Sequence, residues 1–161
     1  MSTRSHVIQM STGGAITSTY IHWDGYPAGV GAMLVKYYNT GELAEEVAAL
    51  GYASGLLSTL EATRRESHHD SSSIPVESYD SMSDYLKADH MAAEYAYLYH
   101  HGWLVYDLVR PSGVGTSHPG WEPVAQAIER EEREQTEPAE VKQLRERIAT
   151  LERQLQIAEV A

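Results

Sequence analysis

The apolar positions in the first forty residues change period once, and the change falls on the most concentrated stretch of the chain. His6 to Met10 is short and apolar, Ser11-Thr12-Gly13-Gly14 supplies turn residues, and Ala15 to Trp23 is rich in β-branched and aromatic side chains. This pattern predicts a β-hairpin. On its second strand Thr17, Thr19, Ile21 and Trp23 share one face, while Ile16, Ser18, Tyr20 and His22 share the other. From Pro27 to Tyr38 the apolar residues recur at helical spacing, with Val30, Leu34 and Tyr37 or Tyr38 on one stripe. The intervening run His22-Trp23-Asp24-Gly25-Tyr26-Pro27-Ala28-Gly29-Val30-Gly31 suits neither period, so it is a junction that turns a strand into a helix. Pro27 fits the first helical turn, where its missing N–H would be unpaired anyway. Gly25 is expected to take a positive φ, and Asp24 to cap the exposed helix N–H groups.

Farther along, Asn39-Thr40-Gly41-Glu42 has the spacing of a capping box with Asn39 as cap, and opens a second helix that turns Leu43, Val47 and Leu50 inward before Gly51. Tyr52 to Leu60 is apolar without a clear period. Between Glu61 and Ser83 large apolar residues are sparse and His68-His69-Asp70 leads into a serine run, which predicts a long surface loop. Glu94 to Tyr99 then alternates strictly, His100-His101-Gly102 turns, and Trp103 to Val109 returns as a second hairpin. Tyr95, Tyr97 and Tyr99 lie on one face of it, a face able to meet water or a ligand. The order predicts an α+β fold, an antiparallel sheet of two hairpins with helices packed on one face, plus a C-terminal helix with a short coiled-coil seam.

Three units follow from the composition: an α+β domain over 1–110, a linker and docking segment rich in Pro, Gly and Ser over 111–128, and a charged helical tail over 129–161. In the tail Pro138 is placed to open a new helix, with Thr136 or Glu137 as cap. Val141, Leu144, Ile148, Leu151 and Leu155 follow at spacings of three and four, an a/d seam of about two heptads that predicts a homo-oligomer over packing on its own domain.

Charge narrows the function. With 12 basic against 23 acidic residues the formal net charge is −11, which argues against direct nucleic-acid binding. Acidity of this size leaves open a nucleic-acid mimic that occupies a DNA-binding protein, although ordinary solubility charge explains it more simply. The chain has no cysteine, which excludes disulfides and thiolate metal sites. Met1 to Ser5 is followed by no signal-like apolar run, and no stretch is long and apolar enough for a membrane span, so a cytoplasmic protein without a membrane partner is expected. Phenylalanine is absent while tyrosine numbers 11, so the hydroxyls of core aromatics must find partners.

The junction collects the candidate site. A helix N-terminus fed by a strand attracts anions, and hairpin pairing brings Arg4 and Ser5 near the far end of the second strand. Arg4, Ser5, His22, Trp23, Asp24 and Tyr26 are therefore the candidate ligand-binding residues for a small anionic, nucleotide-like molecule or a protein partner. The competing reading packs Trp23 in the core, makes Asp24 a cap and lets His22 bond a backbone carbonyl. A metal-dependent hydrolase would need His22 and Asp24 with a third ligand such as His90 or His100. No phosphate-loop glycine motif, nucleophile elbow or His-Glu-x-x-His occurs, so neither a catalytic residue nor a cofactor is assigned and binding is favoured over catalysis.

Ser2-Thr3-Arg4-Ser5, then Tyr20-Ile21-His22-Trp23-Asp24-Gly25-Tyr26-Pro27 and Val30-Gly31, resemble a group of small uncharacterised proteins of bacteriophages and prophages with an S-T-R-S opening and a Y-C-H-W-D-G-Y-P-x-x-V-G core. The resemblance covers roughly residues 1–60, extends weakly to 94–109 and leaves out the seam. Ile21 stands where that group has cysteine, which removes thiol chemistry from any shared function. What the resemblance implies is context: a phage accessory protein in the host cytoplasm, where countering host defence is a common task.

Overall fold

The computed structural model describes residues 2–67, 74–109, 120–136 and 138–160, except for the side chains at 142, 153 and 155–160. His68, His69, Asp70, Glu137 and most of the expected linker lie outside the described residues, as does the side chain of Leu155. The elements run β1 (Ser5–Met10), β2 (Ile16–Ile21), a π-helical turn (Pro27–Gly31) continuing into α1 (Ala32–Tyr37), α2 (Gly41–Ala48), β3 (Tyr52–Ala53), α3 (Leu60–Ser67), β4 (Glu77–Tyr79), α4 (Met82–Lys87), β5 (Tyr95–Tyr99), β6 (Trp103–Asp107), β7 (Glu122–Pro123), α5 (Val124–Thr136) and α6 (Ala139–Val160).

The fold is α+β, and both expected hairpins are present, with Ser5 opposite Ile21 in the first and Tyr99 opposite Trp103 in the second. Their assembly differs from a purely antiparallel sheet. The hairpins join through a parallel pairing of β1 with β5, Val7 opposite Tyr97, and β3 adds in parallel to β2. The mixed sheet has seven strands in the order β3-β2-β1-β5-β6-β7, with β4 also paired to β2. A tight turn dictates only its own antiparallel pair, whereas the long crossover from β2 to β5 lets β5 enter alongside β1 in the same direction.

Helices cover both faces rather than one. On the larger face Val7, Ile21, Tyr97, Trp103 and Val105 of the sheet pack with Val30, Leu34, Tyr38, Val47, Val124 and Ala127. Tyr38, not Tyr37, completes the α1 stripe, because Tyr37 is exposed and Tyr38 buried. On the other face Ile8, Ile16, Ala96 and Leu98 pack with Tyr85, Met82 and Leu86 of α4. The face bearing Tyr95, Tyr97 and Tyr99 is turned to the core, with Tyr97 buried under Val30 and Val124 and the half-buried Tyr95 and Tyr99 packed against its edge. Val124 and Ala127 are buried in the larger core, so α5 belongs to the packed unit and carries it past residue 128.

Three local expectations need correction. The stretch 61–83 contains α3, β4 and the start of α4, not one long loop. Its helix α3 was illegible as periodic apolar sequence because its inward positions are Thr63 and Ser67, whose hydroxyls accept from the Leu57 and Ser54 amides. The cap of α2 is Thr40, which accepts from Leu43 N–H, instead of Asn39. Thr136 bonds back to the Glu132 and Arg133 carbonyls of α5 and so closes that helix instead of capping α6. Among the described residues no helix is long and apolar enough to cross a membrane.

Candidate functional site

The junction is built by main-chain bonds from several segments. His22 and Trp23 N–H groups donate to the Ala53 and Ser54 carbonyls, and Gly25 N–H donates to Thr3 O, all at 2.8–3.0 Å. From the sheet, the buried Tyr97 hydroxyl donates to Gly25 O at 2.8 Å, and burial holds its pKa well above the usual phenol range. The chain thus turns away from β2 while its polar groups stay paired.

Its turn chemistry departs from expectation. Asp24, not Gly25, carries the positive φ, at 56°. Gly25 is needed for space instead, since a Cβ there would lie 2.6 Å from the Arg4 carbonyl carbon and 2.8 Å from Ser5 N. Asp24 meets the helical turn through its backbone, its carbonyl accepting from Val30 N–H at 2.8 Å, while the cap position is held by Tyr26, which makes no side-chain cap bond. Pro27 does open the helical turn, which takes π geometry, with Ala32 N–H reaching back to Pro27 O.

Of the candidate residues, Arg4 and His22 converge, both meeting the Tyr20 hydroxyl: His22 Nδ1 lies 3.1 Å from it, and Arg4 opposes the upward pKa shift that burial imposes on the phenol. Ser5 does not join them, being fully buried on the opposite face of β1. Trp23 and Tyr26 stand at the surface with 49% and 38% exposure, which overturns core packing of Trp23. His22 and Trp23 rings meet edge to face at 4.6 Å.

Across the turn lies a part of the site that sequence spacing did not reveal. Ala28 N–H donates to Glu131 Oε2 of α5 at 3.0 Å. Pro27 has no N–H, and Gly29 and Val30 donate to the Tyr26 and Asp24 carbonyls. The amides on which anion attraction was expected are therefore taken by the chain's own acceptors. Beside them opens a cleft of about 550 Å³ lined by Tyr26, Glu131, Glu134 and Gln135. Burial pushes the Glu131 carboxyl pKa up, opposed by the Ala28 bond and by Arg130. Arg130 is engaged with Glu122 at 2.6 Å and reaches Glu134 at 3.9 Å, so one guanidinium stands against the two carboxylates that line the cleft with Tyr26.

A second polar group lies on the smaller face and reaches the junction through Tyr20. The buried His6 Nδ1 is 3.1 Å from Ser18 Oγ and 3.3 Å from Tyr85 Oη, while Nε2 has no hydrogen-bond partner. His90 sits edge-on to His6 at 5.2 Å, again with both ring nitrogens unpartnered. Burial lowers the His6 pKa to about 3, with the His90 charge adding in the same direction. The only sequence trace of this cluster is the period of β1 and β2, which puts His6, Ser18 and Tyr20 on one face.

Among the described residues no group of three or more His, Asp or Glu side chains has the arrangement to hold a metal ion, so His22 and Asp24 are not joined there by His90 or His100 as a ligand set. No protein-family model, curated protein or solved structure matches the chain.

Proposed function

We propose that this chain is a non-enzymatic phage accessory protein that binds a host protein through the 22–31 junction and the cleft beside it, in the cytoplasm of the infected bacterium. The phage context and the countering of host defence rest on the sequence resemblance. The mode of binding rests on one observation, the Glu131 carboxylate bonded to Ala28 N–H at the mouth of the helical turn. An anionic, nucleotide-like ligand would have to sit where a carboxylate already sits, with Glu134 beside it. A lysine or arginine side chain of a protein partner fits better, because it meets two carboxylates and the Tyr26 ring together. Exposed Trp23 and Tyr26 supply the large aromatic anchors on which interface energy concentrates.

The test immobilises the full chain, passes bacterial lysate over it and compares the wild type with Trp23→Ala, Tyr26→Ala and Glu134→Gln. Capture of one host protein that all three changes weaken, and that added salt releases, supports the reading. A thermal shift with a nucleotide extract, retained in Glu134→Gln, would overturn it in favour of the small anionic ligand. Recovery of a DNA-binding protein indifferent to all three changes would overturn it in favour of nucleic-acid mimicry by the acidic surface at large.

A further inference from the structure

Helix α6 carries an apolar stripe that its own domain does not cover. Val141, Leu144, Ile148 and Leu151 are 43%, 61%, 55% and 51% exposed, on a helix of 22 residues. Read as heptads, Val141, Ile148 and Leu155 take a positions, and Leu144, Leu151 and Ala158 take d positions. We propose that α6 pairs with α6 of a second copy of this chain as a parallel, in-register, two-stranded coiled coil that sets both α+β domains at the same end.

Two independent features of the helix select this occupant and orientation. β-Branched Val141 and Ile148 at a, with Leu144 and Leu151 at d, form the layer chemistry that favours two parallel strands over higher oligomers. The flanking charges agree. Glu140 and Arg147 fall at g, and Arg145 and Glu152 at e, so parallel alignment sets Glu140 against the partner's Arg145 and Arg147 against the partner's Glu152, each pair occurring twice by symmetry. The antiparallel alignment that overlaps the seam fully, with Leu144 against the partner's Leu155, matches only Arg145 with the partner's Glu152 and gives Glu140 and Arg147 no opposite charge. The parallel coil follows Pro138, where α5 has ended at Thr136, so both α+β domains stand at one end of the coil and a bivalent partner that reaches both junctions gains effective concentration. This pairing goes beyond the identity of whatever the junction binds.

Because the chain has no cysteine, Leu144→Cys introduces a sole thiol. Mild oxidation should convert that variant into a covalent dimer, while a mixture of Leu144→Cys and Leu155→Cys chains should give no disulfide between the two kinds. A disulfide found only in the mixture would establish the antiparallel alignment and overturn the proposal. Light scattering of the unmodified full chain should give a dimer mass over a range of concentrations; a monomer, trimer or tetramer mass overturns it as well. As a check that does not depend on a core substitution, Arg147→Glu should weaken dimerisation at least several-fold at low salt, and adding Glu152→Arg should restore it. Indifference to Arg147→Glu would contradict the parallel pairing.

Discussion

Glu131 and Ala28 are 103 residues apart in sequence, yet the carboxylate of one accepts the backbone N–H of the other at 3.0 Å, joining α5 to the turn that ends the junction. Two effects compete in this contact. The amide gains an acceptor, while burial disfavours the charged form of the acid and raises its pKa. Glu131→Ala removes the acceptor and should cost about 1 kcal/mol, in the range of a lost cap. Glu131→Gln keeps an acceptor without the charge and should stay within about 0.5 kcal/mol of wild type. Because the folded pKa is raised, the contribution of this one side chain falls as pH rises through the carboxylate range, so the stability of Glu131→Gln relative to wild type should improve from pH 4.5 to pH 7.5. Urea titrations of the three proteins at pH 4.5 and 7.5 check both statements.

Tyr97 holds the other side of the junction through Gly25 O, inside the larger core. Phenylalanine fits the same space and removes only the donor, leaving a buried carbonyl unpaired. Tyr97→Phe should therefore destabilise by about 1–3 kcal/mol. Amide hydrogen exchange should show faster opening at Gly25 and Val30 than across β5, which would place the loss at the junction. Uniform change across the sheet would contradict this assignment.

The readable parts of the sequence were those whose cause is local. Turn residues between alternating strands gave both hairpins, Pro27 gave the start of the helical turn, and the a/d spacing gave the stripe on α6. Each depends on neighbours within a few residues. What stayed hidden depends on pairings across the chain: the parallel meeting of Val7 with Tyr97, the second helical layer formed by α4, and the contact of Glu131 with Ala28. Glu131 lies in a run of charges on an exposed-looking helix, and no local property separates it from Glu132 or Glu134. The candidate site was legible in the same measure. The aromatic junction was visible, but its electrostatic sign was set by a residue from α5, so a turn read as attractive to anions stands beside an acidic cleft.

His6 makes the stability depend on pH. Its folded pKa is about 3 because burial and His90 disfavour the imidazolium, whereas in the unfolded chain the pKa returns near the model-peptide value of about 6.5. Above that value both states are neutral and the pair contributes no pH dependence. As pH falls from about 6.5 towards 3 the unfolded chain takes up a proton that the folded one refuses, so stability drops through this window and levels off below it. His90, whose pKa is also lowered by burial, acts in the same direction, against the opposing Glu77 carboxylate. The loss should be on the order of 3 kcal/mol between pH 7 and pH 4. His6→Asn keeps an acceptor near the Nδ1 position for Ser18 and Tyr85 and should flatten the fall, at some cost in stability at neutral pH. A wild-type profile that is level from pH 7 to pH 4 would contradict the buried, neutral state of His6.

The close approach of Gly29 to Asp24 supplies the sharpest test of the junction's geometry. A Cβ at Gly29 would lie 2.2 Å from the Asp24 carbonyl oxygen, a backbone atom held by the bond from Val30 N–H. Neither partner can move without undoing the turn. Gly29→Ala should consequently cost about 2 kcal/mol or more, in the manner of overpacking, and should abolish binding that depends on Trp23 and Tyr26. Gly41 offers the matched comparison, because it is the first residue of α2 and a Cβ there meets nothing within 4 Å. Gly41→Ala should leave binding intact and raise stability by about 0.5 kcal/mol, through the lower entropy of the unfolded chain. Thermal denaturation of the two variants against wild type reads the opposite signs directly, and a neutral Gly29→Ala would mean that the turn at 24–30 is looser than the Asp24–Val30 bond implies.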